Sequence, residues 1–178
     1  DLSLTGRAQY NSNVTMTDEA TATRRGVERE DVIFSPAVNV DISVPTGAVS
    51  LMLNGIVGYD FYSRKSNLSR ERIDLNGGVA GSVAFCAVAV NGGFARRQTE
   101  LTNLDLLIAN GEQAVKNVET IKRIGAVFGC GAPIGFRPFG LIQYEDSRNS
   151  ADLRRGQNVE SITYGGGVEY NQPSIGTI

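Results

Sequence analysis

Hydrophobic and polar residues alternate strictly along three consecutive stretches of the chain. From Val32 to Val44, one side carries Val32, Phe34, Pro36, Val38, Val40, Ile42 and Val44, and the other Ile33, Ser35, Ala37, Asn39, Asp41 and Ser43. A period of two is the signature of a strand with unlike faces, and this one outruns the ~5–6 residues of an ordinary strand. Pro45-Thr-Gly47 predicts a tight reversal. The next stretch sets Val49, Leu51, Leu53, Gly55, Val57, Tyr59 and Phe61 against Ser50, Met52, Asn54, Ile56, Gly58 and Asp60. A third, from Ile73, sets Leu75, Gly77, Val79, Gly81, Val83 and Phe85 against Asp74, Asn76, Gly78, Ala80, Ser82 and Ala84. In all three, one face is free of charge and the other is mostly small and polar.

Five weaker segments follow the same rule: Leu2 to about Asn11, Val88 to about Thr99, Val118 to Cys130, Phe136 to Glu145 and Ser161 to Tyr170. In the Val118 segment each face carries a charge, and Ile124, Ala126 and Phe128 are expected outward, with Lys122 near a membrane edge. Pro138 fits a strand only at its start or at an edge. The pattern predicts an all-β chain, an antiparallel up-and-down meander of about eight long strands forming part or all of a transmembrane β-barrel. Residues 1–178 read as a single outer-membrane barrel segment. Because the chain stops after a turn without a terminal aromatic residue, a fragment of a larger barrel is expected.

The connections alternate too. Short ones are expected near Pro45–Gly47, Val83–Val88, Gly131–Gly135 and Gln172–Gly176; long polar ones near Thr15–Glu30, Ser63–Arg72, Leu101–Asn117 and Ser147–Val159. A short helix is expected within Leu104–Ala114. Long loops at one end and tight turns at the other is the plan of outer-membrane barrels. Phe85, Phe128, Phe136 and Tyr170 fall beside the short turns, and Tyr10, Phe34, Tyr59, Phe61, Tyr62 and Tyr144 toward the long loops. Two aromatic clusters separated by aliphatic positions match two interfacial girdles. A soluble β-sandwich or lipocalin-like barrel with an apolar ligand would also alternate, with its apolar face inside.

Composition narrows the choice. Hydrophobic residues make up 41% of the chain. No apolar run approaches the ~20 residues of a membrane helix, whereas lipid-facing barrel residues are diluted by alternation. A net charge of −2 with both signs interspersed gives no footprint for nucleic acid. The chain has no histidine, which removes Ser-His-Asp and Cys-His catalysis and imidazole metal sites. No cofactor or bound metal is expected, and no enzyme. Gly165-Gly-Gly167 lacks the following helix that a phosphate loop needs.

Cys86 and Cys130 are too few for a zinc site, leaving a disulfide or two thiols. Both fall at short turns on the end assigned to the periplasm, an oxidising compartment. Antiparallel counting, with Cys86 ending the third long segment, puts one strand pair between them. A disulfide between them is expected; the turn-to-turn separation is about 10 Å, so one turn has to lean toward the other for the bond to form.

At Cys130-Gly-Ala-Pro-Ile-Gly-Phe-Arg-Pro-Phe-Gly140 and Gln172-Pro-Ser-Ile-Gly-Thr-Ile178 the sequence resembles the β-barrel porin 2 family. Those proteins are similar to outer-membrane barrels of exopolysaccharide loci in alphaproteobacteria. The resemblance implies a longer chain with further C-terminal strands. It carries over no catalytic residue.

The candidate lining of the barrel interior is Arg7, Asn39, Asp41, Asn54, Asp60, Asp74, Asn76, Arg123, Arg137 and Glu169. Asp41, Asp60 and Asp74 are expected either to line a pore, where rings of charge set selectivity, or to pair with Arg7, Arg97, Arg123 or Arg137. Acid–base chemistry by Asp60 and Asp74 lacks a substrate pocket. Arg24-Arg25 and Arg70-Glu-Arg72 read as loop charges within reach of lipopolysaccharide phosphates. Three function classes follow: a barrel passing small solutes or supporting polysaccharide export, a structural or binding barrel with a plugged interior, and the soluble β-domain. The partners expected are outer-membrane lipid and lipopolysaccharide, with polysaccharide or small solutes as cargo.

Overall fold

The structure is a computed structural model that describes residues 1–14, 18–24, 28–66, 69–98, 117–132, 134–172 and 176–177. One antiparallel sheet contains every described strand, in chain order. The strands are β1 (Leu2–Asn11), β2 (Asp31–Thr46), β3 (Val49–Tyr62), β4 (Arg70–Val83), β5 (Cys86–Gln98), β6 (Val118–Cys130), β7 (Gly135–Asn149) and β8 (Val159–Gln172). A two-residue strand, β9 (Gly176–Thr177), lies on β8. A short helix, α1 (Glu19–Arg24), interrupts the first long connection, and a 3-10 helix (Asp152–Gln157) the last. The helix expected within Leu104–Ala114 lies outside the described residues. No described helix is long and apolar enough to cross a membrane.

The meander is therefore the one the alternation predicts, with shifted ends. Strand β4 begins at Arg70 rather than Ile73 and stops at Val83, so Arg70 and Arg72 belong to a strand, not a loop. Charged residues at the end of a long strand look like loop in a sequence, because no partner is visible there. Tight two-residue turns join β2 to β3 through Gly47-Ala48 and β4 to β5 through Ala84-Phe85. Gly47 and Ala84 both have positive φ (73° and 53°), the conformation that hairpin turns matching the strand twist demand.

Register keeps like with like across the sheet. Leu51 pairs with Val79 and Val79 with Val90; Ile42 pairs with Leu53, and Phe128 lies between Val88 and Gly140. The β2·β3 ladder is interrupted at Ser35-Pro36, between the pairs Phe34↔Phe61 and Ala37↔Gly58. Pro36 has no N–H to give to the ladder. Pro138 avoids that cost on its β6 side, because pairing with β6 starts one residue later, at Phe139.

Burial is inverted with respect to polarity. Ser35, Ala37, Ile121 and Ser147, on the polar face, are only 5–8% exposed. Leu51, Val79, Val90, Ile124 and Phe128, on the apolar face of interior strands, are 44–57% exposed. Near the long loops the polar face is the sheltered one.

Candidate functional site: the polar face of the sheet

Alternation places all ten lining candidates, Arg7 to Glu169, on one face, and pairing assembles them into rows. The central row runs Asp41, Asn54, Asn76, Gly93, Arg123, Glu145, Ser161 across β2 to β8. It gathers Asp41, Asn54, Asn76 and Arg123 from four separate segments. Asp41 and Asp74 are exposed; Asp74 accepts a hydrogen bond from the Asn76 amide at 3.0 Å. Asn39 donates to the hydroxyls of Ser3 (3.3 Å) and Thr5 (3.1 Å), tying β2 to β1. Arg7 bonds Gln9 on its own strand.

The charged pairing differs from expectation. Arg97, Arg123 and Arg137 each meet a glutamate directly opposite on the next strand rather than an aspartate: Glu119 at 3.4 Å, Glu145 at 3.1 Å and Glu169 at 3.3 Å. Of Asp41, Asp60 and Asp74, it is Asp60 that has an arginine neighbour among the described residues, Arg72 at 4.0 Å. Register sets Asn54 opposite Asp41, and Ile56 and Ala95 opposite Asp74, so no arginine stands straight across from either aspartate. Glu119 and Glu145 were not foreseen. Their signal was available: each lies on the polar side of its segment, but only the register sets it opposite an arginine.

Toward the short turns the same face becomes apolar. Met52, Val127, Phe139 and Leu141 are exposed there, and an open hollow of about 400 Å³ is lined by Ala80, Ala87, Ala89, Val127, Phe139 and the Arg137–Glu169 pair. Long side chains lie along the wall over glycines. A Cβ on Gly129 would come within 3.4 Å of the Arg137 guanidinium, and one on Gly167 within 2.9 Å of the Phe139 ring. The uniformly small polar face expected from the sequence therefore holds only for the middle of the sheet.

At the long-loop end the connections are anchored by buried polar groups. Asp31, 1% exposed, accepts the backbone N–H groups of Val32 (2.7 Å), Arg64 and Lys65 (both 2.9 Å), fastening the β3–β4 connection to the start of β2. Beside it Arg64 bridges Glu28 and Glu30. The Tyr10 hydroxyl, and after it Arg64, hold the Glu30 carboxyl below the usual carboxylate range, while burial pushes the Lys65 ammonium below its ordinary value. Buried Asn117 bonds Asn149 at 2.7 Å, and Asn149 takes Asn158 through its N–H at the same distance. Of the arginines expected in loops, Arg25 lies outside the described residues, and Arg72, on β4, points to Asp60.

Cys86 and Cys130 form a disulfide. Cys86 opens β5 and does not end β4, so the two residues are direct cross-strand partners on adjacent strands, with Cα atoms 4.0 Å apart. The expected 10 Å gap and leaning turn are thereby corrected. The Gly131 N–H donates to the Phe85 carbonyl just beyond them. That identifies a non-hydrogen-bonded pair, the site in an antiparallel ladder where side chains approach most closely.

Each end of the apolar face carries one ring contact: Tyr59 with Phe61 (4.6 Å) at the loop end, and Phe136 with Tyr170 (4.9 Å) at the turn end. Among the described residues no group of acidic or cysteine side chains could hold a metal ion. No protein-family model, curated protein or solved structure matches the chain.

Proposed function

We propose that this sheet is wall of an outer-membrane β-barrel, its apolar face against lipid and its polar face lining a passage for small polar solutes. The observation that carries the reading is the inversion of burial: Ser35, Ala37 and Ser147 are sheltered on the polar face near the long loops, while valines, leucines and phenylalanines of the apolar face stand exposed. A soluble barrel or sandwich hides its apolar face, because burial in water follows apolar area. Strand length supports the reading. Fourteen residues in β3 extend about 46 Å, and a tilt near 45° leaves about 33 Å, enough for a ~30 Å hydrocarbon layer. The aromatic pairs at both ends suit the two interfaces, and the disulfide suits an oxidising compartment. The resemblance to the β-barrel porin 2 family points the same way, toward solute passage or support of polysaccharide export.

A plugged, binding or structural barrel is the second reading. The apolar side chains exposed on the polar face near the short turns, Phe139 and Leu141 above all, favour it, since they call for a cover. The two readings part in a planar bilayer. Stepwise conductance from the purified chain is expected for a passage, and membranes that stay silent would favour the plug. Release of the protein from cell envelopes by plain buffer, without detergent, would remove both.

A further inference from the structure

We propose that the passage favours cations and uncharged polar solutes and rejects anions, acidic polysaccharides included; this rests on the reading that the polar face lines a path. The argument lies in how the wall distributes its charge. On the β5–β8 side every arginine of the polar face is matched by a glutamate straight across the register, 3.1 to 3.4 Å away. Such a pair presents hydrogen-bond donors and acceptors to a passing solute, but its field falls off as a dipole. The β2–β4 side is different. Asp41 faces Asn54, and Asp74 takes only the neutral Asn76 amide.

Position decides which of these charges a permeant ion meets. The cations on the other side of the ledger, Arg7, Arg70 and Arg72, stand in the rows nearest the long loops, beside Ser35, Asp60 and Gly58. Arg72 is turned toward Asp60. Three consecutive central rows, those of Asn39, Asp41 and Ser43, contain five charged side chains on this face: Asp1, which lies opposite Asp41, then Asp41, Asp74, Glu145 and Arg123. Arg123 and Glu145 cancel. What remains in the middle of the wall is three carboxylates, those of Asp1, Asp41 and Asp74, among Asn54, Asn76, Asn91, Gln143 and Thr163. A narrow, low-dielectric wall focuses the field of such charges on the path.

The test is a zero-current potential across a planar bilayer holding the purified protein in a KCl gradient. Dilute salt keeps the charges visible, since the Debye length is about 10–30 Å between 0.1 and 0.01 M. The wild-type potential should carry the sign of potassium preference. Asp41→Asn with Asp74→Asn should bring it toward zero. Glu145→Gln should move it the same way by baring Arg123, and adding Arg123→Gln should restore the wild-type sign. Chloride preference in the wild type overturns the inference while leaving the passage standing, as does a conducting aspartate double variant with an unmoved potential. A protein that never conducts defeats the passage itself, and the inference falls with it.

Discussion

Gly55 and Val79 illustrate how much each position depends on the face it occupies. Gly55 has φ of 156°, and a Cβ there would lie 2.1 Å from the Asp74 carbonyl oxygen and 2.8 Å from the Leu75 Cα. Both obstacles are backbone, so no side chain can turn aside. Gly55→Ala should therefore part β3 from β4 and cost more than the ~1–3 kcal/mol of an ordinary overpacked site; denaturant unfolding compared with Gly165→Ala, where a Cβ would meet the Leu141 side chain at an ordinary 3.9 Å, measures it. Val79 is a test of orientation. On the proposed lipid side an arginine at midplane should cost about 2–4 kcal/mol, whereas Asn76→Arg on the polar face should be mild. Equal losses of folded protein from the two variants would reverse the assignment of faces.

At the scale of elements, periodicity made the strands legible and register was what it left out. A period of two tells which residues share a face without reference to any partner, so the eight long strands and their short turns were readable from the sequence alone. Cross-strand neighbours depend on where two strands begin, and across a long connection nothing in either strand states that. Hence an arginine partner for Asp41, one of its two expected roles, is absent among the described residues, Glu145 was missed, and Cys86 was placed on the wrong strand by two residues of turn. The short α1 and β9 offered too few residues for any period. The direct Cys86–Cys130 pair leads to a prediction at this scale. Replacing both with Ser should destabilise by ~4 kcal/mol on the chain-entropy model for a loop of this length. Mass spectrometry of the unreduced protein should find the two cysteine peptides linked, and free thiols after oxidative folding would contradict the pairing.

For the whole molecule, one orientation follows from having all long connections at one end. Those connections are not equally tolerant, and the difference can report sidedness. Near Lys65 the backbone N–H groups are committed to Asp31, so an inserted epitope there should disturb folding. Gly156, in the exposed 3-10 segment with nothing near its Cα side, should accept the same epitope with little loss, as exposed loop tips do. An antibody should then label it on intact cells. Labelling that appears only after lysis would turn the molecule over.

The disulfide's position across the β5·β6 pair also bears on how a sheet of this kind avoids being assembled wrongly. Three of the neighbouring pairs, β2·β3, β4·β5 and β6·β7, are stitched by turns of a few residues that admit one alignment. β5 and β6 are joined by residues 99–117, and such a length of chain tolerates sliding at small entropic cost. A slide of one position would exchange inside for outside along half the wall, and a slide of two would strip Arg97 of Glu119. The bond between Cys86 and Cys130 sits at the opposite end of the pair from that connection, where it forbids both errors. It does for two strands that share no turn what Gly47-Ala48 does for two that do, and it acts as a spelling check on the alignment as much as a clasp.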